Sequence, residues 1–267
     1  MIAWLFPGQD AFTPELGLSL LDRPLGASLI AHAEQCTGVP LSTPASRRRA
    51  GTFDTAIIQP LLAAVAMTLA ADRPLPDVVA GASLGALLAY AVATGQDPAS
   101  VVTAAALRGR AMADAARRWP GGMIAVAEAD VPAALARGAT VGVLDRAAQN
   151  VDGQWILAGD AAALRAVGTL GRPVPVTGPW HCARMADAER AVAEALAALP
   201  DHPPRCSWIV DGRSGERADL LTLTRPVLWR DTLLRLRGAE QVWVLGPSKV
   251  LRAQVRDVLG LEAREMT

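Results

Sequence analysis

Residues 77–95 read DVVAGASLGALLAYAVATG, and no other stretch limits the possible folds as much. A short apolar run stops at Gly81. An Ala/Leu-rich helical stretch begins at Leu84, and Gly95 is its stop signal. Strand, glycine-rich turn and helix in that order belong to a parallel α/β sheet. The turn carries G-x-S-x-G, a pattern that presents a serine hydroxyl at the start of a helix. There the free backbone N–H groups and the helix dipole favour negative charge. Gly81 and Gly85 remove side chains that would crowd the turn. Ser83 is therefore a candidate nucleophile; as a plain N-cap it would only start the helix.

The chain has 267 residues, 51% of them hydrophobic. That supports one large α/β domain, or such a domain with a smaller insert. A formal net charge of zero does not suggest a nucleic-acid groove or a surface for an anionic membrane. Lys249 is the only lysine, and arginine supplies the other positive charges. Three cysteines without CxxC spacing argue against a disulfide framework or a zinc site. The opening MIAWLFPGQD has no basic segment before its apolar run and reads as a buried strand. The apolar run over 56–71 is interrupted by Gln59 and Pro60 and is too short to span a bilayer. These features predict a cytoplasmic protein without membrane partners.

Apolar periodicity predicts helices over 25–36, 58–71, 84–94 and 99–118. The rhythm then changes. GMIAVAEA reads as a strand, and DVPAALARG as a short helix capped by Asp130. ATVGVLDRA and QWILAG read as two strands, a helix follows with Asp160 as cap, and RPVPVTG is a last strand. The order βαββαβ is that of a small ferredoxin-like unit over 121–177. The larger domain, over 1–120 and 178–267, resumes with helix 185–199, a strand near CSWIVDG, helix 229–237, strand QVWVLG and a final helix. The arginines at 47–49 read as a solvated loop.

A serine nucleophile needs a base, usually histidine. His32 lies within a helical pattern and His202 in a proline-rich loop. His181, in TGPWHCARM, follows a predicted strand and precedes a helix, where α/β sheets collect functional groups. It is the best base by elimination. Arg108 lies in the apolar part of a long helix. Either its stem snorkels to water, or it is buried in the cleft awaiting an anion that a guanidinium grips with two parallel hydrogen bonds. Arg110 points elsewhere round the helix, toward solvent.

With these pieces placed, the chain resembles the malonyl-CoA:acyl-carrier-protein transacylase family almost end to end. FPGQ at 6–9 resembles that family's N-terminal loop, IIQPLL its second motif and GASLGA its nucleophile elbow. LRGRAM falls on the segment bearing a carboxylate-binding arginine, NVDGQWILAG on an N-x-x-x-Q-x-x-x-x-G segment and PWHCARM on the histidine motif. GGMIAV, LTRPVLW and VLGPSKVL match further motifs in the right order. The resemblance implies an α/β-hydrolase-like large domain with a parallel sheet and a nucleophile elbow, carrying the small ferredoxin-like insert. It implies Ser83 as nucleophile, His181 as base and Arg108 as the grip on a malonyl carboxylate. The backbone N–H groups of Gln9 and Leu84 would form the oxyanion hole, and the backbone carbonyl of Thr222 would orient the histidine. Asn150 and Trp180 would line the acyl pocket, Trp180 either narrowing it against branched acyl groups or serving only as core. No cofactor is implied beyond the donor substrate malonyl-CoA.

The chain departs from the family at Ala82 and Ala86, where His and Glu are usual, and at Asp10, where the loop usually has Gly. A carboxylate at Asp10 would oppose negative charge developing in an adjacent oxyanion hole. The implied reaction is ping-pong transfer of malonyl to the phosphopantetheine thiol of an acyl carrier protein. The pathway is either fatty-acid or polyketide synthesis, or the transferase subunit of a malonate decarboxylase complex. The altered elbow and short chain lean toward the second. A serine thioesterase or hydrolase, and a non-catalytic binding relative, are the competing classes.

Overall fold

The computed structural model describes residues 1–50 and 54–267, the side chains of Asp10, Arg49 and Ala50 excepted. In chain order the elements are β1 (Ile2–Phe6), α1 (Pro24–Thr37), α2 (Pro44–Ala50), α3 (Thr55–Ala71), β2 (Val78–Gly81), α4 (Leu84–Thr94) and α5 (Pro98–Arg118). Then follow β3 (Gly121–Ala127), α6 (Val131–Ala139), β4 (Leu144–Val151), β5 (Gln154–Asp160), α7 (Ala161–Val167) and β6 (Gly171–Val174). The chain ends with α8 (Ala186–Ala197), β7 (Ser207–Val210), β8 (Arg213–Ser214), α9 (Trp229–Leu234), β9 (Gln241–Leu245), α10 (Lys249–Leu259) and β10 (Arg264–Met266).

The larger sheet has the order β10-β9-β1-β2-β7-β8 and is parallel except for the β7–β8 hairpin. Its central strands are apolar on both faces because helices cover both. Alternate residues separate two cores. Ala3, Leu5, Val78, Ala80, Val242 and Val244 pack with α9 and α10. Trp4, Phe6 and Val79 pack into the opposite layer with α1, α3, α4 and α5. The second sheet is antiparallel, with the order β4-β5-β3-β6 and the connection β3-α6-β4-β5-α7-β6. Its own core joins Ile124, Val126 and Leu157 to Val131, Ala134 and Val167. Val227, in the segment before α9, runs against β4 of the second sheet, donating to Ala147 O and accepting from Gln149 N, both at 2.9 Å.

Several local expectations are corrected. Arg47 is not solvated: it lies in α2, 0% exposed, donating from Nε to Leu41 O and from Nη1 to Pro14 O and Leu16 O. Backbone carbonyls take up Nε and Nη1 and so offset much of the cost of burial, while Nη2 has no hydrogen-bond partner among the described residues. The strand expected from Ala139 begins only at Leu144, because Thr140 and Val141 donate back to Arg137 and Gly138 and extend the end of α6. Neither Asp130 nor Asp160 caps its helix through its side chain. Asp130 closes a 3-10 turn, while Asp160 is engaged by Val143 N and Arg184. Helix α3 begins earlier than expected, capped by Asp54, and runs through Gln59 and Pro60. Short β8 and β10 have no clear signature in the sequence. No helix among the described residues is long and apolar enough to cross a membrane.

Candidate active site

The site begins where β2 turns into α4. Ser83 sits between them at φ 57° and ψ −112°, a backbone conformation that strains any residue with a side chain. The flanking glycines are required by contact. A Cβ on Gly81 would stand 2.2 Å from the Gly85 carbonyl carbon, and one on Gly85 would stand 2.2 Å from Phe6 O. The elbow is thus pressed against the end of β1, and Ser83 projects toward the ends of the parallel strands.

His181 lies on the loop between β6 and α8, itself at φ 59°. Its Nε2 is 2.8 Å from Ser83 Oγ across 98 residues of chain. Only 6% of the residue is exposed. Burial, and then the Arg108 guanidinium, push its pKa down to about 4, while the backbone at Thr222 and Arg225 acts in the opposite direction. The ring is therefore neutral near pH 7, with Nε2 able to accept the Ser83 hydroxyl proton. Buried Nδ1 makes no hydrogen bond of good geometry, and the groups acting on it are the backbone at Thr222 and Arg225.

Arg108 is buried in the cleft and does not snorkel. Its Nη2 donates to Ser83 Oγ at 3.0 Å and its Nη1 to Gln59 Oε1 at 2.8 Å. Burial lowers its pKa to about 10, which still leaves it charged at neutral pH. Gln59 donates in turn to Thr55 Oγ1 at 2.7 Å. A single polar amide within the apolar α3 was the available signal for this orienting role. Arg110 is exposed and donates to Cys36 O.

An open cleft of about 500 Å³ leads to Ser83 from between the two sheets. Gln9, Leu84, Asn150 and Trp180 all line it, as does Ala82. Thr222 is on the other side of the pair, lining a small cavity of about 20 Å³ with Ala86, Ser83, His181 and Arg108. The two alanines of the elbow thus face different spaces: Ala82 the large cleft, Ala86 the small cavity. The Asp10 carboxylate lies outside the described residues. His32 pairs with Thr103 between α1 and α5, and His202 is in an exposed loop, so neither joins the site. No group of three or more His, Cys, Asp or Glu among the described residues could hold a metal.

A parallel α/β sheet with a serine elbow, a neutral histidine on its hydroxyl and a buried guanidinium beside it belongs to the acyltransferases. No family model matches the chain. It is 32% identical over 255 residues to the malonyl CoA-acyl carrier protein transacylase of Mycobacterium bovis, covering 86% of this chain and 83% of that protein. The protein of the same name from Synechocystis is 27% identical over 268 residues, covering 93% of this chain and 90% of its own. The crystal structure of the transacylase from Xanthomonas oryzae superposes with a TM-score of 0.87 at 29% identity, covering 99% and 93% of the two chains. The chain belongs to the malonyl-CoA:acyl-carrier-protein transacylase family.

Proposed function

We propose that this acyltransferase moves malonyl from malonyl-CoA to the phosphopantetheine thiol of an acyl carrier protein. The observation that carries the reading is the double contact on Ser83 Oγ: His181 Nε2 at 2.8 Å and Arg108 Nη2 at 3.0 Å. Ser83 Oγ attacks the thioester carbon as its proton passes to His181 Nε2. The backbone N–H groups of Gln9 and Leu84 receive the developing oxyanion. The C–S bond then breaks, the CoA sulfur takes the proton from His181, and malonyl-Ser83 remains. In the second half the carrier thiol gives its proton to His181 and attacks the ester. Ser83 Oγ leaves and recovers that proton.

Arg108 supplies the acyl selectivity. Its guanidinium turns from Oγ to the free malonyl carboxylate, with Gln59 holding the other arm. Trp180 and Asn150 bound the acyl side of the cleft, and the Thr222 backbone orients His181. In this reading the unit over 1–120 and 178–267 carries the reacting groups, and the unit over 121–177 forms the opposite wall. The relatives' names support an acyl carrier protein as acceptor. We place the chain with the transacylases rather than in a malonate decarboxylase. Ala82 and Ala86 leave the contacts on Ser83 intact, so the altered elbow calls for no specialised carrier. A hydrolase would have no use for a buried guanidinium at the nucleophile.

The test is the intact mass of the protein after brief exposure to malonyl-CoA, with acetyl-CoA in parallel. A malonyl adduct that requires Ser83, is weak from acetyl-CoA and disappears on adding a holo carrier protein is the expected result. Free malonate released faster than carrier is loaded would make the protein a hydrolase.

A further inference from the structure

The loop that carries His181 is held by residues outside every motif used so far. Arg184, three residues after the histidine, donates from Nε to Asp160 Oδ1 at 2.7 Å and from Nη2 to Asp160 Oδ2 at 2.6 Å. This is a bidentate pair, the strong form of a guanidinium–carboxylate contact. Both side chains are mostly buried, at 24% and 18% exposed. Asp160 ends β5 of the second sheet and is fixed from behind by Val143 N at 2.9 Å. The guanidinium also lies 4.0 Å above the ring of Trp119, the residue that ends α5. That helix carries Arg108. A second carboxylate of the small sheet, Asp145, accepts from Ala183 N at 2.9 Å. The segment 181–184 is therefore fastened at two successive residues to the second sheet and at one to the Arg108 helix.

His181 has reason to need this. A non-glycine residue at φ 59° persists only where its surroundings impose that conformation. Its ring has one hydrogen bond of good geometry, to Ser83, and none at Nδ1. Beyond Ser83 the ring faces only the backbone at Thr222 and Arg225, so where it starts from depends on how its own loop is held.

We propose that the Arg184–Asp160 pair, stacked on Trp119, is the positioning element for the base: it sets the His181 loop at once against the second sheet and the helix that carries Arg108. This rests on the reading of His181 as the base. Arg184 and Asp160 touch no reacting atom and act only through His181.

The test uses the full chain with Arg184→Lys, which keeps the charge but loses the fork, and Asp160→Asn, which keeps the shape but loses the charge. Three quantities are read: the single-turnover rate of Ser83 malonylation, KM for malonyl-CoA, and the pH at which that rate falls on the acid side. A loosened loop should slow acylation about 10- to 100-fold with KM little changed. It should also let water reach the ring, moving the acid limb upward from near 4 toward the ordinary 6.5. If the single variants acylate at the parent rate with the limb unmoved, even with a lowered thermal midpoint, the pair is only structural and the proposal is overturned. Asp160→Asn carries the test if Arg184→Lys does not fold. His181→Ala separates the two readings: acylation that survives it removes the base assignment, whereas acylation lost in it but unchanged in the pair variants removes the positioning role alone.

Discussion

Ser83 Oγ stands between an imidazole nitrogen and a guanidinium, and the two act on it differently. In the proposed reaction His181 takes its proton, while Arg108 stabilises negative charge on the oxygen until a malonyl carboxylate draws it away. Replacing Arg108 with Gln leaves Gln59 Oε1 without its donor and removes a charged partner worth roughly 2–5 kcal/mol. Initial rates with the two CoA thioesters should show kcat/KM for malonyl-CoA down by about 30-fold to several thousand-fold. The acetyl-CoA rate should change far less, so the preference collapses. His181 also makes stability pH-dependent. Its folded pKa is about 4 against an ordinary 6.5, so between those values the unfolded chain takes up a proton that the folded one refuses. The stabilisation is complete above 6.5, is lost as pH falls toward 4, and is flat below that, roughly 3 kcal/mol in all. Urea titrations across this window should show the loss in the parent and not in His181→Gln. Ser83 was legible at this scale because its motif and its strand–helix context agree. Gln59 was not, because an amide in an apolar helix has no sequence pattern that names its partner.

The crossing of α3 and α5 determines where Arg108 points. Gly109, next to it in the chain, allows the approach: a Cβ there would stand 2.4 Å from Thr55 O. Gly109→Ala would gain about 1 kcal/mol of helix propensity. The clash is with backbone and cannot be relieved by a rotamer change, and overpacking of this kind costs about 1–3 kcal/mol. The net effect should be destabilisation, with slower Ser83 acylation because Arg108 moves with its neighbour. A variant more stable than the parent would contradict this crossing. The helices and the central strands were legible because period and stop signals agree over long runs. Asp130 and Asp160 stand at the expected N-cap positions but do not cap with their side chains: Asp160 has tertiary partners in Val143 N and Arg184, whereas at 139–141 local turn bonds prolong α6 where a strand was expected, and Arg47 is drawn inward by distant carbonyls.

Across the molecule, the loops that approach the cleft are fixed from within. Arg47 joins three backbone carbonyls from the segments 14–16 and 41, and burial lowers its pKa to about 10. The first of these segments leads directly from the turn that holds Gln9. Arg47→Met would leave buried carbonyls unpaired and should destabilise by about 2–4 kcal/mol. Since the acceptors are carbonyls and not carboxylates, the loss in urea midpoint should be nearly the same at low and high salt. A strongly salt-dependent loss would mean that the nearby Glu15 and Glu34 matter more than the carbonyls.

By itself the sequence determined the parallel sheet, the elbow and the order of the second unit. These follow from hydrophobic period and glycine placement, which are properties of neighbouring residues. It also identified Ser83, His181 and Arg108 as the residues to test. The tertiary structure decided that they meet. His181 reaches Ser83 across 98 residues, and Arg108 is buried because α3 and α5 close over it. It also decided that Arg47 is interior and that Asp160 grips Arg184 instead of capping a helix. Charged side chains are placed by whichever buried partners the completed fold brings within hydrogen-bonding distance, and no local pattern contains that information.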